Sequence, residues 1–261
     1  MKNLIKSQLY QLRKETISIT FLIVIIIMEF TTAIGETSFG METTITADTL
    51  LAENGHYLVL VAMAFGLLLT AQVCGSDFND RTANYELMSG HLRRDVYFSK
   101  AVISLIGGVM GTVVAFFVPF MFNVARWGWG TDLDVKGVLI RYLLLIFPVF
   151  RIICEFIFLS FLIKNSYVVM AMGFIVPIGL GQSVAGYFPY CKSVLLGLTN
   201  IYKLAVFPSW MGYTVADLKY VYVYDTSLSL EDIILTVVAS LAIGSFFLWL
   251  GYQYFKNDDM R

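Results

Sequence analysis

Six apolar runs, near residues 17–34, 56–74, 101–124, 138–163, 167–188 and 233–254, divide this chain. Each is close to or above the ~20 residues that a helix needs to cross a hydrocarbon core. Backbone polar groups in lipid must be satisfied within their own segment, so each run is expected to be helical. Ahead of the first, Leu4, Ile5, Leu9 and Leu12 recur at nearly helical spacing, flanked by Lys2, Lys6, Arg13 and Lys14. That pattern predicts a short amphipathic helix over 2–15, lying flat in the headgroup layer. The expected fold is therefore all-α: one polytopic domain over 1–261 with six spans.

The segment from Pro189 to Asp232 is too long for a tight turn, and its apolar part, 193–207, is too short for a full crossing. It is expected to re-enter the outer leaflet and return. Pro208, Trp210 and the tyrosine-rich stretch Tyr213–Tyr224 suit an interfacial aromatic belt.

Composition agrees with a bilayer. Hydrophobic residues make up 58% of the chain and charged residues 14%, too apolar a balance for an ordinary soluble domain. A net charge of −1 provides no global basic field, which argues against nucleic acid as a partner. Cys74, Cys154 and Cys191 form no CxxC pair and read as thiols. The first run is longer than a signal-peptide core and lacks a convincing cleavage site, so it is expected to be retained as a span.

Lysine and arginine placement sets the expected orientation. With both termini cytoplasmic, Lys2, Lys6, Arg13, Lys14, Arg81, Arg93, Arg94, Lys100, Lys164, Lys256 and Arg261 lie inside. The loop from Glu36 to Gly55, without a single Lys or Arg, lies outside. Arg141 and Arg151 fall within the fourth span.

No soluble-enzyme constellation is present: the chain has no HExxH, no GxSxG and no GxxxxGK[ST], and its histidines, His56 and His91, fall on opposite sides of the expected topology. The costly residues are the intramembrane charges Glu29, Arg151 and Glu155. Arg151 and Glu155 stand four apart on one helical face, where mutual neutralisation competes with substrate contact; Glu29 is a candidate for lining a cavity or snorkelling. Gly107 and Gly111 form a GxxxG suited to helix packing. The Gly173, Pro177, Gly179, Gly181 series reads as a kink rather than a nucleotide loop.

Between the second and third runs lies a charged island, residues 75–100, in which Asp77, Asp80, Arg81 and Glu86 alternate with Phe78, Tyr85, Leu87 and Met88 before a Ser89-Gly90 break. It offers both ion-pairing groups and apolar anchors. The run Phe78, Asp80, Arg81, Thr82, Tyr85, Glu86, Leu87, Ser89, Gly90, Arg93 and Lys100 resembles the cytoplasmic loop after the second span of ABC-2-type transporter permeases. The Asn-Tyr-Glu-Leu-Met-Ser-Gly-His wording is similar to small permeases of Gram-positive bacteria associated with peptide export and antibiotic immunity. Arg81 stands where Gly is commoner, and Gly90-His91 where many relatives carry Pro.

That resemblance implies a coupling helix, centred on Asp77 to Ser89 and including Arg93, seated in a groove of a separate cytoplasmic ABC ATPase. It implies a plasma-membrane subunit that binds no cofactor itself, with ATP and Mg held by the partner ATPase. It further implies pairing with a second copy or a sister permease, and an amphipathic cargo such as a peptide, antibiotic or lipid. An ATP-independent carrier and a membrane scaffold are the rival readings.

Overall fold

The computed structural model describes residues 2–14, 19–20, 23–24, 27, 46–79, 88–131, 133–180, 197–214 and 219–257. Helix α1 (Lys2–Lys14) is followed by α2 (Ala47–Asn79), α3 (Arg93–Trp127), α4 (Val135–Leu144), α5 (Ile146–Ile163) and α6 (Ser166–Phe174). A π turn (Ile175–Leu180) continues α6; then come α7 (Gly197–Ala205), strands β1 (Ser209–Thr214) and β2 (Lys219–Tyr224), and α8 (Leu230–Asn257). The chain is thus mostly helical. Among the described residues, four segments are long and apolar enough to cross a membrane: Ala47–Ser76, Arg93–Trp127, Val135–Ile163 and Leu230–Asn257. They coincide with the second, third, fourth and sixth apolar runs. Most of the first run lies outside the described residues; the fifth is described as α6 and its π turn as far as Leu180.

Helix α2 is apolar on every side and occupies the centre, with 94% of its apolar window buried. It crosses α3 through glycines. A side chain at Gly66 would meet the Gly108 carbonyl at 2.5 Å and the Thr112 hydroxyl, while one at Gly111 would meet Leu69 and Phe65 at 2.9 Å. Gly107 faces open space. The close approach expected of the GxxxG therefore runs through Gly108 and Gly111. The Thr70 and Thr112 hydroxyls donate to the Gly66 and Gly108 carbonyls one turn back, at 2.9 and 2.8 Å, which satisfies them without a partner helix.

The fourth run is one span broken at Leu145. Asp134 caps the start of α4, accepting from the Gly137 amide at 3.0 Å. Pro148 has no amide to give the Leu144 carbonyl, and the break sits one turn before it. Lys164, in the left-handed region at φ 55°, ends α5. Asn165 then starts α6, its side chain accepting from the Tyr167 and Val168 amides at 3.1 and 3.3 Å. The π turn at Ile175–Leu180 contains Pro177, in line with the kink expected there.

One element was not expected from the hydropathy pattern. β1 and β2 form an antiparallel hairpin, Ser209 opposite Tyr224 and Thr214 opposite Lys219, which adds a small β element to a chain that is otherwise helical among the described residues. The alternation Tyr220-Val221-Tyr222-Val223-Tyr224 has the period of two that a strand needs. The described part of the segment 193–207, residues 197–207, holds the short helix α7, whose residues other than Lys203 are buried in the bundle.

Helix α8 lies at the edge: only 17% of its apolar window is buried. Its buried residues Thr236, Ser240, Gly244, Gly251 and Phe255 form a stripe of mostly small side chains, with Gly244 against Arg151 and Cys154 of α5.

Candidate functional site

The charged island joins the two helices with the most extensive mutual packing, α2 and α3. Asp77 lies in the last turn of α2. Phe78, beside it, is partly buried, edge-on to Phe161 at 5.9 Å between ring centroids, with the Lys100 ammonium 6.0 Å from its ring centre. It anchors the end of α2 to the bundle. Asp80, Arg81, Thr82, Tyr85, Glu86 and Leu87 lie outside the described residues. Ser89 is exposed in a turn completed by Gly90 at φ 88°, a conformation that suits glycine. Met88 and Leu92, flanking this turn, are 81% and 69% exposed.

Arg93 serves the fold. Its guanidinium donates to the carbonyls of Phe255 and Lys256 at 3.5 and 3.0 Å, capping the C-terminal end of α8, where a cation complements the helix dipole. One turn on, the buried Tyr97 donates its hydroxyl to the Leu248 carbonyl at 2.7 Å and packs among Phe161, Tyr252 and Phe255. Lys100, the last residue of the permease-like run, is 1% exposed. The first turns of α3 are therefore bolted to the last turns of α8.

Deeper in the bundle, the Arg151 Nε donates to Glu155 Oε1 at 2.9 Å, so the two charges expected to neutralise each other do meet. The pair is asymmetric: the Arg151 side chain is 3% exposed and that of Glu155 27%. Two glycines pack α5 closely beside it: a side chain at Gly197 of α7 would meet Ile152 at 2.8 Å, and one at Gly244 of α8 would meet Phe150 at 3.0 Å. The Asn200 amide nitrogen and Ser240 hydroxyl are buried and have no hydrogen-bond partner among the described residues. Glu29 lies outside the described residues.

Sequence reasoning assigned Arg141 to a span and gave it no role. It is 2% exposed and holds five main-chain carbonyls, from Lys203, Val206, Asp225, Thr226 and Ser227. A lone arginine in an apolar run was the available signal. Its partners, 62 to 86 residues away, could not be read from local pattern.

Between α3 and the α4–α5 break lies an apolar groove of about 160 Å³, lined by residues including Val59, Phe116, Phe117, Leu139, Leu143 and Val149. His56 stacks at a tilt on Tyr57 and Tyr202, at 3.9 and 5.4 Å, and His91 is exposed. Among the described residues no cluster of His, Cys, Asp or Glu could hold a metal. Cys74 and Cys154 are buried thiols, the Cys74 sulfur 3.0 Å from the Ser104 hydroxyl; Cys191 lies outside the described residues.

No family model matches this chain, and no curated protein matches it.

Proposed function

We propose that the chain is the membrane permease subunit of an ATP-driven exporter of the ABC-2 type, non-catalytic itself and driven by a separate cytoplasmic ATPase that binds ATP and Mg. The observation that carries this reading is the placement of the charged island. It connects the central helix α2 to α3, and α3 is fastened through Arg93 and Tyr97 to α8. A force applied to the island is thus delivered to three of the four long apolar helices at once. That is what a coupling element needs if nucleotide binding elsewhere is to bias a two-state membrane domain.

In this reading the chain has six spans and both termini in the cytoplasm of a bacterial cell, and α7 is the described part of a re-entrant element. It works as a pair, with a second copy or a sister permease. Its cargo is amphipathic: the apolar groove and the exposed Met and Phe side chains of α3 (Met110, Phe117, Met121, Phe122) suit such a molecule. The Arg151–Glu155 pair, a charge couple inside a span with only Arg151 fully buried, favours an ATP-independent carrier as the second reading.

The test is co-purification with a candidate ATPase, followed by ATP hydrolysis by the complex with and without Arg81→Ala and Glu86→Ala. Loss of the complex, or of hydrolysis that depends on the membrane subunit, supports coupling through the island. If no ATPase co-purifies and both variants are silent in transport, the carrier reading replaces it.

A further inference from the structure

The apolar groove between α3 and the α4–α5 break is open along one side. Phe117 of α3 and Leu139, Leu143 and Ile146 of the fourth apolar run line it, and all four are exposed. Both walls belong to segments long and apolar enough to cross a membrane, so in a bilayer the opening faces hydrocarbon chains. The lining offers little to a polar ligand. The Thr112 hydroxyl donates to the Gly108 carbonyl of its own helix at 2.8 Å. The Tyr142 ring stacks on Phe116 at 4.9 Å between centroids, while its hydroxyl is buried at Gly55, where a Cβ would lie 2.6 Å from the oxygen. At about 160 Å³ the groove is close in size to an engineered cavity of about 150 Å³ that takes benzene. It therefore holds a length of hydrocarbon chain and not a whole amphiphile.

Length and mouth narrow the occupant further. From Leu139 to Val149 the lining follows about 15 Å of helical rise, the depth of one leaflet of a ~30 Å hydrocarbon core. The start of α2 meets the end of α3 at the end of the bundle away from the charged island, where the Ala47 amide donates to the Gly128 carbonyl at 3.2 Å. At this end Lys136 is exposed in the first turn of α4. Lys136, Leu139 and Leu143 stand at i, i+3 and i+7, so the cation lies on the helical face that lines the groove, about one turn above it. The neighbouring acid, Asp134, is turned to the Gly137 amide as the cap of α4. Trp127 and Trp129 lie at the same end, Trp129 Nε1 donating to the Leu133 carbonyl at 2.9 Å, and tryptophan favours the headgroup layer. A chain seated in the groove thus has a cation and aromatic rings at the depth of its head group.

We propose that this groove is a binding site for one acyl chain of an anionic phospholipid whose phosphate pairs with Lys136. The apolar walls fix where the chain lies, and the lysine selects the head group. A lysine at a membrane surface attracts a lipid of net negative charge, whereas a zwitterionic lipid brings a cation of its own to the same place. The site names the class of amphiphile that the groove takes. It rests on the reading of these helices as membrane spans and not on coupling to an ATPase, so its failure would leave the permease proposal standing, and the reverse.

Photo-crosslinking of the full chain in phosphatidylcholine nanodiscs tests this, with a diazirine in the acyl chain of either phosphatidylglycerol or phosphatidylcholine and the adducts mapped by mass spectrometry. The phosphatidylglycerol probe should label residues 109–117 and 139–149 about fivefold more than the phosphatidylcholine probe, the advantage expected of one surface lysine. On the exposed face of α8, at Leu235, Val238 and Leu241, the two probes should label alike. Lys136→Gln should abolish the difference at the groove, and Lys136→Arg should keep it. Leu143→Trp, which fills the opening, should lower labelling of the groove by both probes and leave α8 as in the parent. Equal labelling of groove and α8 face by both probes would mean bulk lipid only and would overturn the site. So would a phosphatidylglycerol preference that survives Lys136→Gln, unchanged labelling in Leu143→Trp, or a groove left unlabelled because a second copy covers it.

Discussion

The Tyr97 hydroxyl occupies the space that a side chain on Gly251 would fill: a Cβ there would lie 2.6 Å from the oxygen that donates to the Leu248 carbonyl. The hydrogen bond and the missing side chain are two halves of one joint between α3 and α8. Tyr97→Phe should lower stability by about 1 kcal/mol, the worth of one hydrogen bond. Gly251→Val, which drives methyl groups into the ring, should lower it by about 1–3 kcal/mol. Thermal midpoints in detergent compare the two; Gly251→Val milder than Tyr97→Phe would refute the joint.

At the α2–α3 crossing, two glycines of similar appearance should behave in opposite ways. Gly66→Ala places a methyl group against the Gly108 carbonyl, and backbone cannot move aside as a flexible side chain can. A loss of about 1–3 kcal/mol is expected. Gly107→Ala meets open space and removes a helix-weakening glycine, so it should be neutral or stabilising by up to about 1 kcal/mol. Equal effects of the two on the thermal midpoint would mean that α2 and α3 do not cross here.

For the Arg151–Glu155 pair, a double-mutant cycle separates neutralisation from function. Removing one partner leaves the other charge in a low-dielectric interior, at about 3–5 kcal/mol for a fully buried pair and less here because Glu155 is partly exposed. Arg151→Met combined with Glu155→Met should recover most of the folded yield lost in either single variant. If the double variant folds well yet is inactive in transport, the pair also serves the cargo.

Asp225 supplies a pH dependence outside the spans. Hydrogen bonds from the Ser227 side chain and backbone, with the Arg141 charge as a smaller influence, hold its carboxyl below the usual carboxylate range. A group whose pKa falls on folding adds stability that is fully present above its unfolded value and is lost as pH falls through its folded value. Local protection of the 225–229 connector should therefore weaken on acidification below the ordinary carboxylate range. Asp225→Asn should flatten that acid limb; an unchanged limb would place the responsible carboxyl elsewhere.

The spans were legible because hydropathy is a local property that acts over a fixed length: residues 56–74, 101–124, 138–163 and 233–254 each fall inside a long apolar helix or helix pair. The Arg151–Glu155 contact was equally local, one helical turn along a single face. The hairpin was missed because its tyrosines were read for their interfacial chemistry, while the strand they also form depends on cross-strand pairing between Ser209–Thr214 and Lys219–Tyr224, which is not a local property. Arg93 was read only as part of the coupling island, because the sequence does not say that the end of α8, whose carbonyls it caps, lies beside it.

By itself, then, the sequence determined that this is a mostly helical chain built for a bilayer, where its long apolar helices lie and where its charges are concentrated, since composition and periodicity act along the chain. The tertiary structure alone decided which glycines touch, that α2 rather than α8 is central, that Tyr97 and Arg93 tie α3 to α8, and that Arg141 gathers five carbonyls from two distant segments. Such contacts depend on which surfaces meet in space. A glycine exposed to lipid and one pressed against a carbonyl, or an arginine that snorkels and one fully enclosed, are the same letter until the helices pack.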